Sequence, residues 1–189
     1  MIYDLLDMNT LRNNIKDKYS AICDYNKTTS IHFRYGDYKQ YPDKYAILNY
    51  QYYETALLHV ITTELSNISD TCSNTILVFY EKIDSVDVFR ITNQLKHHPV
   101  ISQLNFIYID TSIPDWEQLL IMSNCKHNII ANSTFSWWGA FFNSNSSTHL
   151  SMDNINSIIC YPSVWYRTKL AHINVAGLSM PHWKKILTT

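Results

Sequence analysis

Glycine is scarce in this sequence, which has only three among its 189 residues, at Gly36, Gly139 and Gly177. No Gly-x-Gly-x-x-Gly occurs, so the glycine-rich turn with which many α/β proteins hold a dinucleotide is excluded. A chain this poor in glycine is expected to keep it where the backbone shape requires it. Gly36 and Gly139 lie inside the two most distinctive segments of the chain, which are therefore the first candidates for a specific structure.

Other absences narrow the class of protein. The four cysteines contain no Cys-x-x-Cys pair, which argues against a zinc site and favours free thiols in a reducing compartment. The net charge is −1, so the basic surface of a nucleic-acid-binding protein is missing. No apolar run approaches the roughly 18 residues of a membrane span, and the start lacks signal-peptide character. We expect a cytoplasmic protein, and the Asn-, Ile-, Lys- and Tyr-rich composition fits a viral, protist or bacterial source.

Apolar residues alternate between two periodicities along the chain. Helical stripes occur over 10–22, 49–65, 86–95, 116–125 and 135–143, and compact apolar strands over 30–33, 75–80, 104–109, 128–131 and 157–161. This alternation is typical of βαβ units, and continuous apolar strands fit a parallel sheet covered on both faces. The sequence predicts one Rossmann-like α/β domain over residues 1–189, with 1–28 as a helical lead-in, a polar loop over 143–156 and a partly helical tail.

The first distinctive segment, His32-Phe33-Arg34-Tyr35-Gly36-Asp37-Tyr38, leaves a predicted strand. An arginine at the carboxyl end of a strand lies where open α/β sheets bind ligands, and its guanidinium fork matches phosphate oxygens. Gly36 is expected to take a positive φ in the turn. Asp37 could orient Arg34, cap the turn or act as a base toward a substrate hydroxyl.

The second distinctive segment runs from Asn132 to Ala140 and reads Asn-Ser-Thr-Phe-Ser-Trp-Trp-Gly-Ala. A buried strand, a polar turn and a helix start form a layout that presents backbone N–H groups to an anion. The alternative is an ordinary helix capped by Ser133 or Thr134. Together, the two segments predict a phosphate site with Arg34 as one wall and 132–136 as the other.

Both segments resemble the α-1,2-fucosyltransferases, glycosyltransferase family 11. Residues 32–38 are similar to the family's His-x-Arg-Arg-Gly-Asp-Tyr motif, and residues 120–140 are similar to its second block. A later Tyr161-Pro162-x-x-Trp165 is similar to the family's proline and tryptophan after the last strand. The resemblance covers most of the chain, because the order and spacing agree from about residue 30 to residue 183.

The resemblance implies the carboxyl-terminal half of a GT-B enzyme that transfers fucose from GDP-fucose to a sugar hydroxyl with inversion, without a metal or other cofactor. The implied partners are this nucleotide sugar and a glycan acceptor, for example a galactose-terminated one. Arg34 matches the arginine that holds the β-phosphate, and Asp37 is the second implied catalytic residue. The implied donor-binding residues are His32, Gly36, Glu117, Gln118, Asn132, Ser133, Thr134, Phe135 and Ser136.

The sequence departs from the family pattern in three places. Tyr35 replaces the second motif arginine, which removes one cation near the phosphates. Gln118 replaces an aspartate that resembles a guanine reader, and Glu117 beside it would need a rotated helix, since adjacent helical residues face different ways. The family also carries an amino-terminal half before the first motif, of which about thirty residues are present. The alternative function is therefore a non-catalytic nucleotide-sugar- or glycan-binding module that lacks the acceptor half. A homo-oligomer or a partner chain is the expected source of the missing half.

Overall fold

The computed structural model describes residues 7–66, 73–144 and 157–188. In chain order, its helices and strands are α1 (Met8–Lys18), β1 (Thr28–His32), α2 (Tyr50–Ser66), β2 (Thr75–Phe79), α3 (Ser85–Leu95), β3 (Asn105–Tyr108), α4 (Asp115–Asn124), β4 (His127–Ile129), α5 (Thr134–Ser144), β5 (Ile159–Pro162) and β6 (Lys184–Ile186). The predicted alternation of helix and strand is confirmed over these ranges. Most of the loop predicted at 143–156 lies outside the described residues.

The six strands form one sheet in the order β3-β2-β1-β4-β5-β6, and every pairing is parallel. This is the order of the doubly wound dinucleotide-binding fold, in which the direction of winding reverses between β1 and β4. The Rossmann-like prediction is confirmed. Ligands of such sheets bind outside the carboxyl ends of the strands at the reversal, and the two distinctive segments follow the two strands that meet there.

Helices cover both faces of the sheet. One apolar layer, between the sheet and α2 and α3, contains Tyr52, Tyr53, Leu57, Val88 and Leu95. The other, between the sheet, α1 and α4, contains Met8, Ile15, Leu120, Ile121 and Met122. Successive β2 residues join opposite layers, as a strand buried on both sides requires. No helix in the described ranges is long and apolar enough to cross a membrane.

The carboxyl-terminal tail is helical in part, as predicted, but its helical turns are short and it ends in a strand that was not predicted. It contains two 3-10 turns, at Thr168–Leu170 and Ala176–Leu178, and then β6, which extends the sheet beside β5. Within β6 only Ile186 is buried, so the strand offers almost no apolar signal in the sequence. Exposed lysines on an outer strand are a common protection against edge pairing, which explains why this element reads as polar.

Candidate functional site

A pocket of about 330 Å3 opens at the edge where the strands end, called here the carboxyl edge. Its lining residues come from the ends of β1 and β2, the segment after β3, and the first turns of α4 and α5: His32, Arg34, Phe79, Tyr80, Glu81, Lys82, Thr111, Asp115, Gln118, Ser133 and Phe135. Parallel strands bring these distant segments to one place because all of them end at the same edge. The pocket therefore lies where the doubly wound order places a ligand.

Arg34 leaves the end of β1 and is the central cation of the pocket. Its Nη2 donates to Asp37 Oδ1 at 2.8 Å, and its Nη1 forms an ion pair with Glu81 Oε1. The guanidinium carbon also lies 5.3 Å from the centre of the Tyr38 ring. Two carboxylates and an aromatic face thus fix the fork of this arginine, with about a quarter of its side chain still exposed.

The turn after Arg34 is anchored by a buried carboxylate. Asp84 is 1% exposed, and its two oxygens accept from Tyr35 N at 3.0 Å and Gly36 N at 2.7 Å. The positive φ expected for Gly36 is wrong, since no described glycine has one. A Cβ at Gly36 would lie 3.1 Å from Glu81 Oε2, so the glycine instead leaves room for that carboxylate.

His32, the last residue of β1, is a buried and neutral part of the pocket wall. It is 5% exposed, and burial, assisted by the positive charge of Arg34, lowers its pKa to about 3. Its ring centre lies 5.3 Å from that of Phe135. Its Nδ1 has no hydrogen-bond partner among the described residues. A buried polar atom is normally satisfied, so this nitrogen indicates a ligand or water partner.

The second segment contributes both a wall and a tether. Asn132 does not line the pocket; its Nδ2 donates to Ala46 O at 3.0 Å and to Trp165 O at 2.9 Å. Its carbonyl oxygen accepts from Tyr38 Oη at 2.9 Å. One residue therefore ties the second segment to the first and to the chain after β5.

The residues after Asn132 divide between the pocket and the helix start. Ser133 and Phe135 line the pocket, and Ser133 directly precedes α5, whose N-terminus carries partial positive charge. Ser136 Oγ lies 3.4 Å from Ala131 O and 3.3 Å from Ser133 O, to which it donates. Thr134 is exposed. Only part of the predicted loop thus faces the pocket.

The neighbours Glu117 and Gln118 on α4 face different ways. Glu117 accepts from Lys18 Nζ at 2.8 Å and from the Tyr19 hydroxyl, and the hydrogen bond from Lys18 lowers its pKa. It therefore joins α4 to α1 and does not line the pocket. Gln118 lines the pocket with Asp115, one helical turn earlier. Because Gln118 Nε2 donates to Ile113 O at 2.8 Å, its Oε1 is the group that it can offer to a ligand.

Tyr35, which stands where the family pattern has an arginine, points away from the pocket. It is 1% exposed in the apolar layer under α2 and α3, and its hydroxyl donates to Leu48 O at 3.0 Å. A second cation comes from elsewhere in the chain, since Lys82 lines the pocket after β2. The local deficit of positive charge expected from Tyr35 is therefore reduced by a residue on another strand end.

Sequence reasoning missed four charged residues of this site: Glu81, Lys82, Asp84 and Asp115. The available signal was position, because Glu81, Lys82 and Asp84 directly follow an apolar strand, at the edge where α/β sheets bind ligands. Of the predicted residues, His32, Arg34, Gln118, Ser133 and Phe135 line the pocket, whereas Gly36, Asp37, Glu117, Asn132, Thr134 and Ser136 are not among its lining residues. Donor binding by any of them stays a prediction.

Fold and site together define a doubly wound α/β protein with cationic side chains at the reversal of its sheet. The chain belongs to glycosyl transferase family 11, whose model matches residues 8–159. The family resemblance of the two segments is thus confirmed, and the matched range contains both of them.

Among curated proteins, the O-antigen biosynthesis glycosyltransferase WbnK of Escherichia coli is 30% identical over 182 residues. This match covers 94% of the present chain and 50% of WbnK, so the chain spans about half the length of that relative. No solved structure matches the chain.

Proposed function

We propose that this chain binds GDP-fucose in the pocket at the carboxyl edge and acts as the donor half of an inverting, GT-B-type fucosyltransferase. The observation that carries the proposal is Arg34, an arginine at the end of β1, beside the reversal of a doubly wound sheet. An arginine placed there opposite a helix N-terminus suits a diphosphate, because both groups attract anionic oxygens.

The diphosphate lies between Arg34 and the start of α5. Arg34 and Lys82 supply charge from the β1 and β2 ends, and Ser133 with the first α5 amides supplies hydrogen bonds from the other side. His32 adds a neutral hydrogen-bonding nitrogen, since burial and Arg34 lower its pKa to about 3. A neutral imidazole can contact a phosphate ester without holding the leaving group too tightly.

The guanine lies toward α4, where the pocket offers acceptors. Guanine N1–H and N2–H2 are donors, and Asp115 and Gln118 supply a carboxylate and an amide oxygen on neighbouring turns of one helix face. Asp115 can therefore take over the acceptor role that an aspartate at position 118 would have. Uracil lacks this pair of adjacent donors, so the arrangement favours guanine over uracil nucleotides.

The transfer itself is a single displacement. A hydroxyl oxygen of the glycan attacks C1 of fucose, the bond from C1 to the β-phosphate oxygen breaks, and its electron pair leaves with GDP, whose charge Arg34 stabilises. A base takes the hydroxyl proton, and Asp37, whose side chain is 55% exposed beside Arg34, is the candidate. A galactose-terminated glycan is the proposed acceptor, and we expect a region outside this chain to help bind it, since the chain covers 50% of its relative WbnK.

The chain covers half the length of WbnK, which also supports a second candidate function, a nucleotide-sugar-binding module that is not catalytically active by itself. Such a module would act in a homo-oligomer or beside a partner chain. Calorimetry with GDP, GDP-fucose and UDP, followed by a transfer assay with galactosides, separates the two. Binding of GDP without transfer identifies the module, whereas binding with transfer identifies the enzyme. Failure of the wild-type chain to bind any of these nucleotides contradicts both.

Arg34→Ala is expected to weaken GDP binding at least about thirtyfold, because a charge-assisted contact to phosphate is lost. Arg90→Ala is the matched control, since Arg90 pairs with Asp87 on α3 outside the pocket and should leave GDP affinity unchanged. In the same titrations, Asp115→Asn should lower the preference for GDP over UDP. Persistent binding in Arg34→Ala would refute the phosphate assignment.

A further inference from the structure

The guanidinium fork of Arg34 is already filled by protein carboxylates. Nη2 bonds to Asp37 and Nη1 pairs with Glu81. The two carboxylates differ in place, since Glu81 lines the pocket and Asp37 is not among its lining residues. A phosphate entering the pocket would therefore meet Glu81, and not Asp37, on the guanidinium.

We propose that Glu81 is an internal counter-ion, which occupies the place of a donor phosphate oxygen on Arg34 and is displaced when a nucleoside diphosphate binds. Glu81 thereby sets the affinity of the pocket for its donor. This inference rests on the proposed function, because it takes the diphosphate to be the ligand of Arg34. Asp37 keeps its bond to Nη2 when the diphosphate binds, and so holds the fork in position.

Glu81 is placed so that it can leave. Its side chain is 47% exposed, and a half-exposed ion pair contributes little because water screens it. The carboxylate lies against Gly36, and a Cβ added there would be only 3.1 Å from Oε2. The lack of a Cβ therefore leaves room for the carboxylate beside Arg34. By contrast, a bidentate phosphate contact with arginine is among the stronger polar interactions. The exchange therefore favours the phosphate.

Charge balance gives a reason why Glu81 must move. The pocket lining contains two cations, Arg34 and Lys82, against two carboxylates, Glu81 and Asp115. A diphosphate held on Arg34 with Glu81 still in place would put like charges within a few ångströms, which costs binding energy. With Glu81 withdrawn, the lining has a net charge of +1 by the same count, and the diphosphate meets both cations.

Glu81→Gln tests this role, because it keeps the size of the side chain and removes its charge. In isothermal titration of the full chain with GDP, we expect binding to become about two- to fivefold tighter. Glu54→Gln is the matched control: it removes the same charge from α2, where Glu54 bonds to Tyr50 outside the pocket, and should change GDP affinity less than twofold.

Glu81→Ala, which removes the carboxylate entirely, should tighten GDP binding in the same direction, and thermal unfolding of each variant verifies that it is folded. Unchanged or weaker GDP binding in folded Glu81→Gln or Glu81→Ala, with normal binding by the wild type, would overturn the counter-ion role and leave the proposed function standing. Absence of GDP binding by the wild type would instead contradict the proposed function itself.

Discussion

The two ends of the sheet each hold a basic side chain against carboxylate, yet they do so in opposite environments. At the carboxyl edge, Arg34 and Glu81 are 25% and 47% exposed. At the edge where the strands begin, Lys126 and Glu64 are 16% and 5% exposed, with Lys126 Nζ 2.5 Å from Glu64 Oε1. A solvated pair can exchange its partner for a ligand, whereas a buried pair is costly to break. Charge density alone therefore does not locate a site.

The buried cluster joins three separate parts of the chain. Glu64 at the end of α2 accepts from Ser73 N at 2.8 Å, before β2, and from the ammonium of Lys126, before β4. Burial alone would raise the pKa of Glu64, but its contacts with His127, Lys126 and Ser73 lower it to about 2. These contacts hold the helix end to two strand starts, which is a structural task.

The largest effect is expected on the free energy of unfolding, when Glu64 of the buried cluster is changed. Because the pKa of Glu64 falls from 4.5 to about 2 on folding, its contribution is present above pH 4.5 and is lost as the pH falls toward 2. Glu64→Gln should lower the free energy of unfolding at neutral pH by about 3 kcal/mol. Urea unfolding between pH 7 and pH 3 measures both quantities.

In Glu64→Gln the acid-induced loss should also shrink, since the titrating group is gone, while the folded variant should bind GDP like the wild type. A Glu64→Gln variant that is as stable as the wild type, or that loses stability as steeply at low pH, would contradict this. The buried cluster would then stabilise the fold no more than the exposed pair of Arg34 and Glu81.

A middle-sized effect is expected at Asp84, a buried carboxylate that serves the exposed site. Asp84→Asn retains one acceptor oxygen, so the amide of Tyr35 or Gly36 is left unsatisfied, at about 1–3 kcal/mol. Because this turn carries Arg34, GDP affinity should fall together with stability. Asp110→Asn is the control, since Asp110 accepts from Ser112 N at 2.9 Å in an exposed turn. Loss of stability with unchanged GDP affinity would show that Asp84 does not support nucleotide binding in the pocket.

The smallest effect is expected from Gly36→Ala. No left-handed φ is present to strain, and the added Cβ meets only the flexible end of Glu81 at 3.1 Å, so stability should change by less than about 1 kcal/mol. By crowding Glu81 away from Arg34, the change should tighten GDP binding about twofold. Gly177→Ala, with nothing within 4 Å, is the reference. Large destabilisation would mean that Glu81 is held rigidly.

Local patterns in the sequence predicted five of the six described strands, the parallel sheet and residues on both sides of the pocket. Arg34 and Ser133 could be predicted because they directly follow strands, and a parallel sheet collects such positions at one edge. The rotation of α4 could not, since the contact of Glu117 with Lys18 depends on how α1 docks. β6 was missed because its three residues carry a single buried side chain, too little for a periodicity.

Glu81 shows a different limit. Its residue type predicts an exposed carboxylate, and only the register of β2 beside β1, in which His32 lies opposite Phe79, brings the following residues of the two strands together. The partner of Arg34 is therefore a property of strand pairing and cannot be seen in either segment alone. Gly36 was singled out for the handedness of its backbone, whereas its observed role is to leave room for the Glu81 carboxylate.

The side-chain amide of Asn132 fixes the ends of two loop segments. It donates to Ala46 O and Trp165 O at 3.0 and 2.9 Å, so the segments that run from β1 to Ala46 and from β5 to Trp165 must each arrive at one fixed point. Surface loops ordinarily tolerate insertions at little cost. Removing one residue from either of these would pull its carbonyl away from the amide, whereas an added residue can be taken up as a bulge away from Ala46 and Trp165, so these two segments tolerate lengthening better than shortening.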